Sequence, residues 1–310
     1  MKPLRPLLVI ALALLSVACT AYGPPAQPTP PESFRERPAI PQPSSNPATP
    51  ARIALGKALF HDTNLSADRK MSCATCHQPG RAFTDGAQTA RGKDGRSLTH
   101  NTPGLQNIGL APRLFWDGRS PSLEDQALRP IFNAREMALQ PTELMPRLAA
   151  QPRYAALFAA AYPGEAPTPS AVARALAAYQ RTFVSGEAPV DRWLAGDTSA
   201  LSPQAARGFA LFAGRARCAT CHAGWAFSDW RRHDIGRPDT ANRQVRTPAL
   251  REVGRTAPYM HDGRFPTLEA VVDHYSDGAV RRARANPAVR LGAAEKAELV
   301  AFLRSLDSDS

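Results

Sequence analysis

The chain has 310 residues and a formal net charge of +11, enough length for two modest domains. Its N-terminal apolar run is short of the roughly 20 residues a membrane-spanning helix needs, and no other segment is apolar enough, which argues against a transmembrane anchor. A basic balance of this size suits an acidic partner or simple solubility, and charge alone does not choose between them.

Residues 1–18 read as a secretory signal, with Lys2 and Arg5, the apolar run Leu7 to Val17, and small residues before Cys19. A cysteine directly after Ala18 resembles a bacterial lipobox, with Ser16 where Leu is preferred. An ordinary signal peptide with an incidental cysteine is the alternative. Both send the chain out of the cytoplasm. The expectation is a periplasmic protein, lipid-anchored through Cys19 and touching the membrane only there. Residues 19–50 hold ten prolines. They read as a Pro-rich tether, extended at about 3.1 Å per residue and outside the fold.

Ala51 to Phe60 predicts a short helix. Beyond it lies Cys73-Ala74-Thr75-Cys76-His77, and the same five residues recur at Cys218-Ala219-Thr220-Cys221-His222. The pattern C-x-x-C-H is the attachment signal for c-type haem: both cysteines form thioethers and the histidine becomes the proximal iron ligand. Four of the five cysteines lie in these two motifs. A thioredoxin-like C-x-x-C does not need the following histidine, and a zinc ion on all four cysteines would leave both histidines unused. Two covalently bound c-type haems are therefore expected. In an exported haem protein the positive charge does not point to nucleic acid. Pro169 to Phe183 predicts an Ala-rich amphipathic helix, with Val172, Leu176, Tyr179 and Phe183 at helical spacing, packing between the halves. Pro203 to Ala213 predicts a helix leading into the second motif, and Ala293 to Leu306 a closing helix. No strand pattern is visible.

A shift of 145 residues superposes the chain on itself. Cys73, Cys76 and His77 fall on Cys218, Cys221 and His222. Thr102-Pro103 falls on Thr247-Pro248, Asp117-Gly118-Arg119 on Asp262-Gly263-Arg264, and Leu123-Glu124 on Leu268-Glu269. Upstream, Gly56 to Phe60 (GKALF) echoes Gly208 to Phe212 (GFALF). The expected fold class is mostly α, with two cytochrome c-like haem domains from an internal duplication and long ordered loops. The domains are placed at 51–165 and 166–310. The copies disagree where Pro130 falls on Tyr275. A tyrosine oxygen can ligate haem iron and a proline side chain cannot, so Tyr275 is the candidate distal ligand of the second haem. His274 and Met260 are the alternatives, and Met260 repeats Phe115, which also suits core packing.

These residues resemble a known family, the bacterial di-haem cytochrome c peroxidases and their relative MauG. The resemblance spans roughly residues 51–305. It rests on Leu59 to Ser66 (LFHDTNLS), Asn101-Thr102-Pro103, Phe115 to Arg119 (FWDGR) and Ala257 to Gly263 (APYMHDG). It implies a peroxidatic N-terminal domain and an electron-transfer C-terminal domain. It implies that Trp116 couples the haems, and that Glu136, in Asn133-Ala134-Arg135-Glu136-Met137, sits over the peroxidatic haem. Gln126 and Pro130 would line the same pocket. Tyr275 matches the axial tyrosine of MauG, where conventional peroxidases have methionine.

The implied activity is reduction of hydrogen peroxide at the first haem. Electrons would be relayed through the second haem from a small periplasmic redox protein, a cytochrome c or a cupredoxin. Glu136 would take a proton from the near peroxide oxygen and return it to the far one, with Gln126 helping to hold the peroxide. The alternatives are a MauG-like oxidase acting on a protein substrate, and a non-enzymatic di-haem electron carrier. The resemblance also implies a calcium ion bridging the domains at Asn101, Thr256 and Pro258, and a homodimer, since relatives are often dimers. Two departures stand out. Gly86 to Leu98 contains no histidine, where conventional members place a distal ligand on the first haem. Ala216 stands two residues before the second haem motif, where MauG has a tryptophan that draws electrons from its protein substrate.

Overall fold

The structure, a computed structural model, describes residues 32–235, 244–276 and 289–309. The signal segment, Cys19 and the first part of the tether lie outside these residues. The helices in the first part of the chain are α1 (Pro50–Phe60), α2 (Cys73–Cys76), α3 (Leu123–Ala127), α4 (Arg129–Phe132), α5 (Pro141–Ala149) and α6 (Pro152–Ala161). They are followed by α7 (Pro169–Gln180), α8 (Pro189–Leu194), α9 (Pro203–Ala213), α10 (Leu268–Ser276) and α11 (Ala293–Arg304). The fold is mostly α with long loops, as expected. Three long helices start the same way. Thr49, Thr168 and Ser202 each accept a hydrogen bond from a backbone N–H of the first turn, and Pro50, Pro169 and Pro203 follow with their φ already helical.

Each half is organised by one pair of crossing helices, α1 with α7 and α9 with α11. Matching glycines allow the two crossings. A Cβ on Gly56 would lie 2.0 Å from the Ala175 carbonyl oxygen, and one on Gly208 would lie 2.0 Å from the Glu298 carbonyl oxygen. The first core gathers Leu55, Leu59, Phe60, Ile131, Tyr154, Leu176 and Phe183. The second gathers Trp193, Phe209, Phe212, Phe227, Leu299 and Phe302. This corrects the division at residue 165. The apolar face of α7 packs on α1, not between the halves, so the chain changes core between Phe183 and Ala188.

The tether is also corrected, because its described part belongs to the fold. Phe34 is 3% exposed and sits in the second core, 5.6 Å from the Phe209 ring and 5.2 Å from the Phe227 ring. The Arg37 guanidinium lies 5.0 Å from the Trp225 ring centroid. Asn46, 2% exposed, donates to Glu124 Oε1 at 2.7 Å and to the Arg174 carbonyl at 2.9 Å, both in the first half. A proline-rich strand needs no internal hydrogen bonds, so it can lie along a surface and be fixed by a few anchors. The segment is thus a strap from the second core to the start of α1.

A short antiparallel pair also appears, β1 (Arg232–Asp234) with β2 (Gln244–Arg246), Arg232 opposite Arg246. Three-residue strands are too short to show an alternating pattern in sequence. The duplication extends to backbone detail. Leu114 bridges Ser120 as Tyr259 bridges Phe265. Positive φ recurs at Asn107 and Glu252, at Phe115 and Met260, and at Gly118 and Gly263, each pair 145 residues apart.

Candidate haem sites and the seam between them

Both C-x-x-C-H motifs form one tight turn. The His77 N–H donates to the Cys73 carbonyl and the His222 N–H to the Cys218 carbonyl, each at 2.9 Å. Nδ1 of His77 meets the Phe83 carbonyl at 2.9 Å, and Nδ1 of His222 meets the Phe227 carbonyl at 2.9 Å. A carbonyl only accepts, so Nδ1 carries the proton and Nε2 keeps its lone pair for a metal. Burial lowers both histidine pKa values, which keeps the imidazoles neutral. Burial also pushes the Cys73 and Cys218 thiols up to about 12 and Cys76 up to about 11. A thioredoxin-type cysteine needs the opposite shift. Among the described residues, no three His, Cys, Asp or Glu side chains are grouped to hold a metal ion directly.

In the first half, α3, α4 and the turn after them carry three expected residues, Gln126, Pro130 and Glu136. Pro130 lies at the start of α4 and interrupts what is one continuous helix, α10, in the second half. The Met137 N–H donates to the Pro130 carbonyl at 3.2 Å, folding the Asn133–Met137 turn back over α4. Glu136 rides on this turn, half-buried. Burial raises its pKa above the ordinary carboxyl value, opposed by an Asn133 Nδ2 hydrogen bond of 2.7 Å and by the Arg119 cation. The carboxylate is near enough to Cys76 to add to that thiol's upward shift. Gln126 is half-buried on α3. The turn is pinned from outside as well: the Lys93 N–H donates to the Glu136 carbonyl, and a Cβ on Gly92 would lie 1.9 Å from the Arg135 carbonyl oxygen.

In the second half, one cavity is lined by Cys218, Cys221 and His222, by Met260 and Tyr275, and by apolar residues including Leu268, Val272 and Leu299. This donor set and apolar lining fit a c-type haem attached at Cys218 and Cys221. Burial, helped by the two nearby thiols, pushes the Tyr275 phenol up to about 12. His274, the neighbouring alternative, is not on the cavity wall; its ring packs 4.9 Å from that of Phe265. The geometry thus separates Tyr275 and Met260 from His274.

The two halves meet across a pseudo-twofold seam. The Asn101 N–H donates to the His261 carbonyl at 2.9 Å, and the Arg246 N–H donates to the Trp116 carbonyl at 2.8 Å. Asn101 and Arg246 are repeat partners, and so are Trp116 and His261. Trp116 reaches from the first half onto the wall of the second cavity, its Nε1 donating to the Asn101 carbonyl at 2.9 Å. Asn101, Thr256 and Pro258 line the same cavity. The Asn101 Nδ2 is occupied by the Ala87 and Gln88 carbonyls, which leaves Oδ1 as its donor atom for a hard cation.

A family model described as di-haem cytochrome c peroxidase matches residues 50–199. The chain is 43% identical over 295 residues to methylamine utilization protein MauG of Methylorubrum extorquens, covering 89% of this chain and 84% of that one. It is 34% identical over 296 residues to the cytochrome c peroxidase Ccp of Escherichia coli, covering 88% and 62% respectively. A solved structure of a MauG-like protein associated with microbial copper homeostasis superposes with a TM-score of 0.81 at 30% identity, covering 89% of this chain and 96% of that one. The chain belongs to the di-haem cytochrome c peroxidase and MauG family.

Membership in a di-haem family accounts for both motifs together. Sequence reasoning missed several residues of the seam. Arg246 and His261 carried a usable signal, since they are the repeat partners of Asn101 and Trp116. Gly92, outside the seam, had none, because its role is a close backbone approach to the Arg135 carbonyl of another loop. Trp225 is 6% exposed and lies under the Arg251 guanidinium, 3.9 Å from its ring centroid, with Arg37 also against the ring.

Proposed function

We propose that this protein is a di-haem c-type peroxidase that reduces hydrogen peroxide at the first haem, with electrons relayed through the second from an external donor. The observation that carries the reading is Glu136, a carboxyl with raised pKa on a turn beside the first haem motif. A general acid–base group works best with its pKa near the working pH. The haems, when bound, supply the iron that activates peroxide and stores oxidising equivalents. Glu136 takes the proton from the near oxygen of peroxide and delivers it to the far one, so that water can leave. Asn133 holds Oε1 of that carboxylate and sets its direction, and Gln126 helps hold the substrate. Five histidines lie outside the two motifs, and none is among the groups that shift the Glu136 pKa. His61 packs on Phe60, His100 is exposed beside Thr99, His233 pairs with Asp229, His261 sits in the seam, and His274 lies on Phe265. This arrangement favours a first haem open on its distal side at rest.

Tyr275 closes the second site. Its phenol, pushed up to about 12, gives its proton up only to a strong positive centre in the cavity. Trp116 sits between the sites and is the path between them. Calcium at Asn101, Thr256 and Pro258 would brace the seam. The protein acts outside the cytoplasm, tethered by lipid at Cys19, and takes electrons from a small cytochrome c or cupredoxin. The 43% identity to a MauG protein favours a second reading, an oxidase acting on a protein substrate. Ala216, in place of the tryptophan expected there, weighs against that reading.

The test is peroxide consumption with a reduced c-type cytochrome as donor, comparing the parent with Glu136→Gln. Loss of turnover with both haems retained is expected. Full activity in that variant would sink the assignment.

A further inference from the structure

Arg246 ends β2 at the seam and is 3% exposed. Its Nε donates to the Phe115 carbonyl at 3.2 Å and its Nη1 to the Thr247 carbonyl at 3.5 Å. Its guanidinium lies 5.5 Å from the Trp230 ring centroid. Every one of these partners is neutral. Among the described residues no carboxylate pairs with Arg246, whereas Arg251, equally buried, is held by both oxygens of Asp191 at 2.6 Å. A buried guanidinium facing only carbonyls and a ring carries a desolvation penalty that they offset in part. Among the described residues Nη2 makes no hydrogen bond, so the guanidinium keeps a donor to offer an anion. Arg246 also lines the cavity that holds His222 and Tyr275.

We propose that Arg246 is a positioning residue: it binds a propionate carboxylate of the second haem and ties it to the Phe115–Trp116 turn. The inference rests on the second haem occupying this cavity. The planar fork of a guanidinium suits a carboxylate, and Arg246 has donors for both duties. Its backbone N–H and Nε hold the Phe115–Trp116 turn, and the residue also lines the cavity. One residue therefore fixes the second haem edge and the bridging tryptophan against each other. The first half has no equivalent cation, because the repeat partner of Arg246 is Asn101. The charge also acts on redox balance. A cation beside a haem favours the reduced, less positive iron, so its loss lowers the potential of the second haem and leaves the first nearly unchanged.

The experiment is a spectroelectrochemical titration of the full di-haem protein and of Arg246→Gln and Arg246→Lys, with covalent haem counted by pyridine haemochrome. Resonance Raman spectra of the propionate bending modes are recorded alongside. At the parent's midpoint, Arg246→Gln is expected to raise the oxidised-to-reduced ratio of the second haem about tenfold, equivalent to ~59 mV for one electron. Arg246→Lys keeps the charge and loses the fork, so its potential shifts less while its propionate mode still moves. It keeps a buried cation and serves if the neutral variant does not retain haem. An unchanged second-haem propionate mode and potential in Arg246→Lys, with two haems bound, overturns the proposal. A parent protein carrying only one covalent haem overturns the reading of the cavity itself.

Discussion

The first and second haem sites have the same frame and different contents. In both, a helix, a C-x-x-C-H turn and a carbonyl from a phenylalanine present a neutral histidine. The first half breaks its helix at Pro130 and folds back a turn carrying Glu136, whereas the second runs α10 straight on and presents Tyr275. Duplication preserved the backbone down to its positive-φ residues. Function diverged at a few side chains: proline against tyrosine, asparagine against arginine, tryptophan against histidine. A small number of exchanges on one scaffold gives the two sites different chemistry: a carboxyl with raised pKa in the first and a buried phenol in the second.

The largest expected effect sharpens this division. Glu136→Gln should slow the peroxide reaction by about 10²–10⁴-fold, the usual contribution of a positioned acid–base group, and leave the second-haem spectrum unchanged. Tyr275→Phe should do the reverse, changing the second-haem spectrum in stopped-flow absorption while initial peroxide binding persists. The pH profile follows from the same carboxyl. Its base form is needed to accept the proton and its pKa is raised, so the rate should fall as pH is lowered through that raised value, and Glu136→Gln should lack this limb.

Stability tests probe whether the two halves are equivalent. Phe34→Ala removes a ring from the second core only and should cost about 3–5 kcal/mol, read as an early calorimetric transition of the second half. The paired variants Gly56→Ala and Gly208→Ala should each cost about 1–3 kcal/mol by overpacking equivalent helix crossings. A large difference between that pair would break the structural equivalence. The smallest effect is expected for Gly92→Ala. It pushes on the turn carrying Glu136 and should lower peroxide turnover a few-fold with both haem spectra intact.

Much of this was legible in the sequence. The paired motifs, the 145-residue repeat, the helices α1, α9 and α11, and the contrast between Pro130 and Tyr275 are local or periodic signals. The strap was not legible, because composition suggested a tether while three well-spaced residues, Phe34, Arg37 and Asn46, fix it to the fold. The packing of α7 was misjudged, since periodicity shows that a helix has an apolar face and not which neighbour covers it. The seam was hidden because its hydrogen bonds run between backbone groups of distant loops.

The most direct test of the account is electron paramagnetic resonance of the diferric protein before and after one equivalent of hydrogen peroxide, without reductant. A high-spin signal from an open first haem beside a low-spin signal from a second haem capped by Tyr275 is expected, with both lost together when peroxide is added. Two low-spin signals unmoved by peroxide would contradict it.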